Sequence, residues 1–223
     1  RVAIAGVIAM EPDVLILDDG FQYLMLKPHI NIALVDSTDP FSNGHVLPRG
    51  LLREPVKNIS RADYIFLTKS DGSHKLKHLR TFIRRYNKRA EIIECCHRPQ
   101  YLEDVFYRGN KLELSELRGM KVASISAIAC PASFEKFLEE RGANIVERIH
   151  YADHHAYTEQ EIIDFINVAK KAGAQYILTT EKDAVRIPKI ARLDIPLLFL
   201  RIQIDILSGQ ESFDQCIKRI CFL

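Results

Sequence analysis

Short apolar runs alternate with amphipathic stretches along most of this 223-residue chain. Val14–Leu17, Ile30–Val35, Ala62–Thr68, Glu91–Cys95, Lys121–Ser126, Asn144–Ile149, Gln175–Thr179 and Pro196–Ile206 are too short for buried helices and read as strands. Between them lie helical periods. Leu76, Leu79, Phe82, Ile83 and Tyr86 form one stripe within Ser73–Ala90. A helix opened by Pro131 and closed by Gly142 follows, then one whose Thr158 and Glu161 form a capping box and which stops at Gly173. Ser212 with Gln215 caps a closing helix, and Val2–Met10 is a further buried helix. Tyr101–Tyr107 with the turn Arg108-Gly109-Asn110-Lys111 reads as a hairpin and marks a change of lobe. Strands interleaved with helices on both sides of that point predict two α/β sandwiches.

Composition excludes more than it selects. A net charge of +2 gives no global argument for nucleic acid, and no apolar run is long enough to cross a bilayer as a helix. The five cysteines have neither a disulfide framework nor paired CxxC spacing, which favours a reducing compartment. The chain opens on Arg1 and enters directly on a helical pattern, which leads us to expect a fragment of a longer protein.

Candidate chemistry gathers where the apolar runs end. Asp18 and Asp19 follow Val14–Leu17 directly, and carboxylates at the carboxyl ends of parallel strands are placed for ligands. Such a pair suits Mg²⁺ in phosphoryl-transfer sites, while Asp-Gly is equally the chemistry of a turn. Ser37–Ser60 is broken by Pro40, Asn43, Gly44, Pro48, Gly50 and Pro55, and a loop of that length inside a domain tends to be functional. Its Arg49, Arg53 and Glu54 suit either a phosphorylated substrate or a local ion pair. Thr68-Lys69-Ser70-Asp71 matches the guanine-reading pattern of GTPases and supports that alternative function. Lys75, Lys77, Arg80, Arg84, Arg85, Lys88 and Arg89 crowd one helix with no acid among them, a solvated face or one for anionic lipid. His150, Asp153 and His154 offer a zinc set, but His154 on a strand-to-helix loop fits a general base or an orienting group better, and an ordinary loop histidine equally well.

With these residues together, Asp18-Asp19-Gly20-Phe21-Gln22, then Phe41, Asn43, Gly44 and Leu47-Pro48-Arg49-Gly50-Leu51-Leu52-Arg53-Glu54-Pro55, closely resemble the signature of the tetraacyldisaccharide 4'-kinase family. The Asp153-His154 loop and Thr180-Glu181-Lys182-Asp183-Ala184-Val185 resemble later motifs of that family, in the same order. The resemblance implies a P-loop NTPase-like α/β fold with two α/β/α lobes joined by a two-stranded linker and the active site in the cleft between them. The first lobe would be incomplete, with boundaries near 1–98, 99–206 and a closing helix at 207–223. It implies transfer of the ATP γ-phosphate to the 4'-hydroxyl of the lipid A disaccharide 1-phosphate precursor, at the cytoplasmic face of the bacterial inner membrane, with peripheral contact to anionic lipids and no nucleic acid. Asp18 and Asp19 would hold Mg²⁺–ATP. Gln22, Asn43, Arg53 and Glu54 would contact the acceptor, and His154 would act with an aspartate to activate its hydroxyl. Arg1 matches an arginine ahead of the acidic strand. Tyr23 stands where the family has histidine, Arg49 where it has a small residue, and no GxxxxGK[ST] phosphate loop occurs in the chain. The resemblance places that loop, the aspartate partner of His154 and a membrane-embedding helix upstream.

Overall fold

The computed structural model describes residues 11–72, 76–190 and 193–221. The chain divides into two compact units, Arg1–His97 with Ile204–Leu223, and Arg98–Gln203. It passes from one to the other within β3 (Glu91–Asp104) and back within β8 (Leu197–Ser208), strands that are hydrogen-bonded neighbours.

In the first unit, β1 (Ile32–Asp36), β2 (Tyr64–Thr68) and the start of β3 run parallel, Ile32 opposite Tyr64 and Tyr64 opposite Glu91. The period of two along β2 sorts its side chains between two cores. Ile65 and Leu67 pack with Leu79 and Ile83 of α1 (Leu76–Tyr86). Tyr64 and Phe66 face Phe213, Cys216 and Ile220 of α5 (Gln210–Cys221). A central parallel strand covered on both faces has to be largely apolar, as β2 is up to Thr68 at its end. Helix α1 ends at Tyr86, short of the expected Ala90, because buried Asn87 turns the chain. Its amide nitrogen donates to the carbonyls of Ile59 and Ala62, and its oxygen accepts from the Arg89 and Ala90 N–H groups.

The second unit repeats the plan. Strands β5 (Lys121–Ser126), β6 (Asn144–His150) and β7 (Tyr176–Thr180), with the start of β8, lie parallel in the order β8-β7-β5-β6. Ala123, Ile125 and Ile177 pack against Ile162, Phe165 and Ala169 of α3 (Glu159–Lys171), while Val122 and Leu178 meet Phe134 and Leu138 of α2 (Pro131–Glu140). The capping box is formed, with Thr158 Oγ1 accepting from the Glu161 N–H. The hairpin joins β3 to β4 (Lys111–Glu113), with Gly109 at φ +95°.

Two further expectations fail. Val14–Leu17 is not a strand: it belongs to no ladder, and Ile16 is 83% exposed. An apolar run becomes a strand only with a partner edge, and among the described residues β1 stands at the end of its sheet with Leu34 turned to solvent. Ser212 does not cap α5, which starts at Gln210 after Gly209 at φ +86°. Its hydroxyl donates to Glu91. The expected helix at Val2–Met10, Arg1, and Ser73 to Lys75 lie outside the described residues. No helix among the described residues is long and apolar enough to cross a membrane.

Candidate functional site

Two clusters of polar side chains stand out, one in each unit. In the first, Asp18 and Asp19 sit on an exposed turn rather than at a strand end. Asp19 takes the left-handed conformation, φ 51°, that aspartate tolerates better than most residues, and leads into a single helical turn, Gly20–Gln22. Its Oδ2 accepts from Arg53 Nη1 at 2.5 Å, so the fold joins two of the expected residues across 34 positions of sequence. Gln22 is exposed beside them.

The long loop behind Arg53 is closed on itself. Asn43 Nδ2 donates to the Arg49 carbonyl, Asn43 Oδ1 accepts from the His45 N–H, and the Gly50 N–H donates to the Val46 carbonyl. Any Cβ at Gly50 would run into Asn43 Oδ1 and the His45 carbonyl, so this close approach requires glycine. Phe41 anchors the loop on Phe82 of α1, with ring centroids 5.5 Å apart. Glu54 accepts from Arg61 Nη2 at 2.7 Å and from Asn58 Nδ2 at 2.8 Å, while Arg61 also donates to the Phe21 carbonyl and lies 4.6 Å from its ring centroid. Asn43 and Glu54 therefore hold the loop's shape, and Arg53 is the expected residue whose exposed head reaches the acidic turn.

The carboxyl ends of β1 and β2 supply a neighbouring pair that sequence reading had not joined. Asp36 Oδ2 accepts from Lys69 Nζ at 2.5 Å, and its Oδ1 from the Thr38 N–H and hydroxyl. Partial burial pushes the Asp36 carboxyl up, but these donors and the ammonium charge outweigh it and hold it down at about 2. The lysine of Thr68-Lys69-Ser70-Asp71 is thus engaged by the adjacent strand, and Ser70 is buried with its N–H on the Cys95 carbonyl. An acid closing one parallel strand and a lysine just past the next was the available signal.

In the second unit the ends of β5 and β7 meet the Asp153-His154 loop. Asp183, on the short helix α4 (Glu181–Ala184), is fully buried. Its Oδ2 accepts from the Thr180 hydroxyl at 2.7 Å and the Ala127 N–H at 3.2 Å. Its Oδ1, the Tyr157 hydroxyl and Arg186 Nη1 are all buried without a hydrogen-bond partner, with Arg186 Nη1 3.9 Å from Asp183 Oδ1. Burial, then the charge of Asp183, pushes the Tyr157 phenol far above its ordinary range. His154, at φ 66°, donates its N–H to the Ala127 carbonyl and accepts at Nδ1 from Arg186 Nη2 at 2.9 Å. Asp153 lies beside it, 3.4 Å from Lys182 Nζ. Desolvation raises its carboxyl, but Lys182 and His154 together hold it below its usual range. Sequence reading singled out His154 and the motif containing Asp183, but not Arg186 or Tyr157, which carry no pattern of their own.

The donor chemistry distinguishes the metals. Among the described residues no three His, Cys, Asp or Glu converge on one ion. His150, from the zinc set, instead pairs with Glu135 at 2.6 Å. Mg²⁺ needs only one or two carboxylates besides phosphate oxygens and water, and the exposed Asp18 and Asp19 satisfy that.

The family model described as Tetraacyldisaccharide-1-P 4'-kinase matches residues 1–221. A tetraacyldisaccharide 4'-kinase of Halothermothrix orenii is 32% identical over 222 residues, covering 93% of this chain and 58% of that protein. Its counterpart from Syntrophus aciditrophicus is 36% identical, covering 93% and 57%. This chain thus spans a little over half the length of these relatives. Among solved structures, the "apo" form of LpxK from Aquifex aeolicus in complex with ATP shares the fold, with a TM-score of 0.67 at 24% identity over 97% of this chain and 61% of that one. On the match across residues 1–221, this chain belongs to the tetraacyldisaccharide-1-P 4'-kinase family.

Proposed function

We propose that these residues serve an ATP-dependent kinase that phosphorylates the 4'-hydroxyl of a tetraacyl glucosamine disaccharide 1-phosphate, a lipid A precursor. Family membership gives the class of reaction. The observation that carries the site is the Asp19–Arg53 pair, which ties the acidic turn to the Leu47–Pro55 loop. Phosphoryl transfer is mostly positioning and charge stabilisation, which suits a cluster of carboxylates and guanidinium groups. Asp18 and Asp19 would hold Mg²⁺, and that ion, when bound, neutralises charge on the phosphate oxygens. Arg53 positions Asp19 and has further N–H donors to offer a substrate phosphate. Gln22 contributes an amide beside the same turn, and Asn43 and Glu54 act by fixing the loop from which Arg53 projects. His154 serves the acceptor hydroxyl.

A tetraacylated sugar resides in a lipid layer, which suits an enzyme working peripherally at a membrane, and the family resemblance implies the cytoplasmic face of the inner membrane. Helix α1 offers anionic lipid the exposed Lys77 and Arg85, since Arg80 is bound to Glu94 and Arg84 to the Ala90 carbonyl. No GxxxxGK[ST] segment occurs in these 223 residues, so the chain alone is expected to be inactive.

The test is ATP-dependent labelling of the disaccharide 1-phosphate by the full-length protein, with GTP as competitor. Label appearing on the 4'-position from ATP, and lost in Asp19→Ala, supports the proposal. Preference for GTP rejects it in favour of the GTPase reading of Thr68–Asp71, and full turnover in Asp19→Ala removes Asp19 from the metal site.

A further inference from the structure

The Thr180–Arg186 segment has an organisation that a surface turn does not require. It buries a carboxylate, aims an arginine at a histidine and ties the backbone of that histidine to the same carboxylate. A guanidinium has only donors. Arg186 Nη2, 2.9 Å from His154 Nδ1, can make that hydrogen bond only if Nδ1 presents a lone pair. The ring proton must then sit on Nε2. Nε2 has neighbours of both kinds. Lys182 Nζ, 3.5 Å away, also has only donors and would favour a lone pair there, but it lies farther from Nε2 than Arg186 Nη2 does from Nδ1, and it has an acceptor of its own in Asp153 Oδ1 at 3.4 Å. The other oxygen of Asp153 lies 3.6 Å from Nε2, where it faces a donor rather than a second lone pair.

Asp183 reaches the same histidine by two routes. Its Oδ1 lies near Arg186 Nη1, and its Oδ2 accepts from the Ala127 N–H, while the carbonyl of Ala127 accepts from the His154 N–H. One buried carboxylate therefore fixes both the arginine facing the ring and the peptide holding its backbone at φ 66°.

From the facing of Arg186 Nη2 on Nδ1, we infer that Arg186, anchored by Asp183, is a positioning residue that locks His154 in the Nε2–H tautomer, so that His154 meets the acceptor as a hydrogen-bond donor and not as its proton acceptor. This rests on the reading of His154 as part of the phosphoryl-transfer site. Its role is then to orient an oxygen, of the acceptor or of a carboxylate, through a fixed N–H. A base drawing a proton at Nε2 would need the opposite tautomer and would forfeit the Arg186 bond.

The experiment has two arms. Long-range ¹⁵N–¹H NMR of the chain, with the His154 signals assigned by their loss in His154→Gln, is expected to show a bare Nδ1 and a protonated Nε2. In Arg186→Leu the signals should move towards a mixture of tautomers. A protonated Nδ1 in the unaltered protein, or the same tautomer after Arg186→Leu, overturns the assignment. The unaltered protein alone decides the first point, so a poorly folding variant does not shield the inference. In the full-length protein, His154→Gln, which restores an N–H near the Nε2 position, should retain kcat within about tenfold, against the 10²–10⁴-fold loss typical for removing a base. A loss in that larger range overturns the donor role. Arg186→Leu should lower kcat with KM little changed. Unaltered kcat in both His154→Ala and Arg186→Leu would reject the catalytic reading of His154 while leaving the tautomer result standing.

Discussion

The two polar clusters are built to opposite designs. The acidic turn of the first unit rests on one exposed ion pair, with the Asp19 side chain 71% and Arg53 61% accessible. The cluster of the second unit hangs from a carboxylate with no accessible surface. An exposed pair holds its partners loosely and can exchange one of them for a ligand at little cost, because water already screens the attraction. A buried carboxylate fixes its donors, since any donor it loses leaves an uncompensated charge out of water. The first arrangement suits groups that must accept a metal and a nucleotide. The second suits groups whose geometry must be set before substrate arrives.

The contrast can be broken by substitution. Asp19→Ala is expected to abolish turnover in the full-length protein while moving stability by under about 1 kcal/mol. A large loss of stability would mean that the turn is structural. Asp183→Ala should do the reverse to the fold, costing about 3–5 kcal/mol in denaturant unfolding because Thr180, Ala127 and Arg186 lose a common partner. A cost below 1 kcal/mol would show that the second cluster is as loosely held as the first. Thr158→Ala, which removes the cap of α3, should cost about 1 kcal/mol and leave the acidic turn unaffected.

Asp36 lies between the two designs, half-exposed yet strongly held. Its carboxyl is lowered from 3.8 to about 2, so the stability it contributes is fully present above pH 4 and is lost as pH falls through about 2. With the Lys69 side chain 54% accessible, solvent screening leaves about 1 kcal/mol of that effect. Acid unfolding of Lys69→Met should show a smaller step between pH 4 and 2, since the Thr38 donors remain. An unchanged acid profile would place the pair with the exposed, loosely held kind.

Where local chemistry decides, the sequence was sufficient. Pro131 and Gly142 bound α2, Thr158 and Glu161 start α3, and the apolar runs from Lys121 and from Asn144 are β5 and β6 within a residue. The caps act within one or two turns of chain, so no distant partner could override them, and both apolar runs found partner strands. The acidic and loop motifs were also legible, because their residue types are restricted by chemistry. The fold then showed that Asn43 and Glu54 build the loop and that Arg53 reaches Asp19.

What the sequence alone determined is therefore the class of fold, the elements capped by their own residues, and the chemical kinds gathered in the motifs. Only the tertiary structure decided that Val14–Leu17 is not a strand, that Asn87 ends α1 before Ala90, and that Arg186 faces His154 from 32 residues away. These outcomes depend on pairing between distant segments. An apolar run or a lone arginine states what kind of partner it needs, and the packed chain settles which partner it gets.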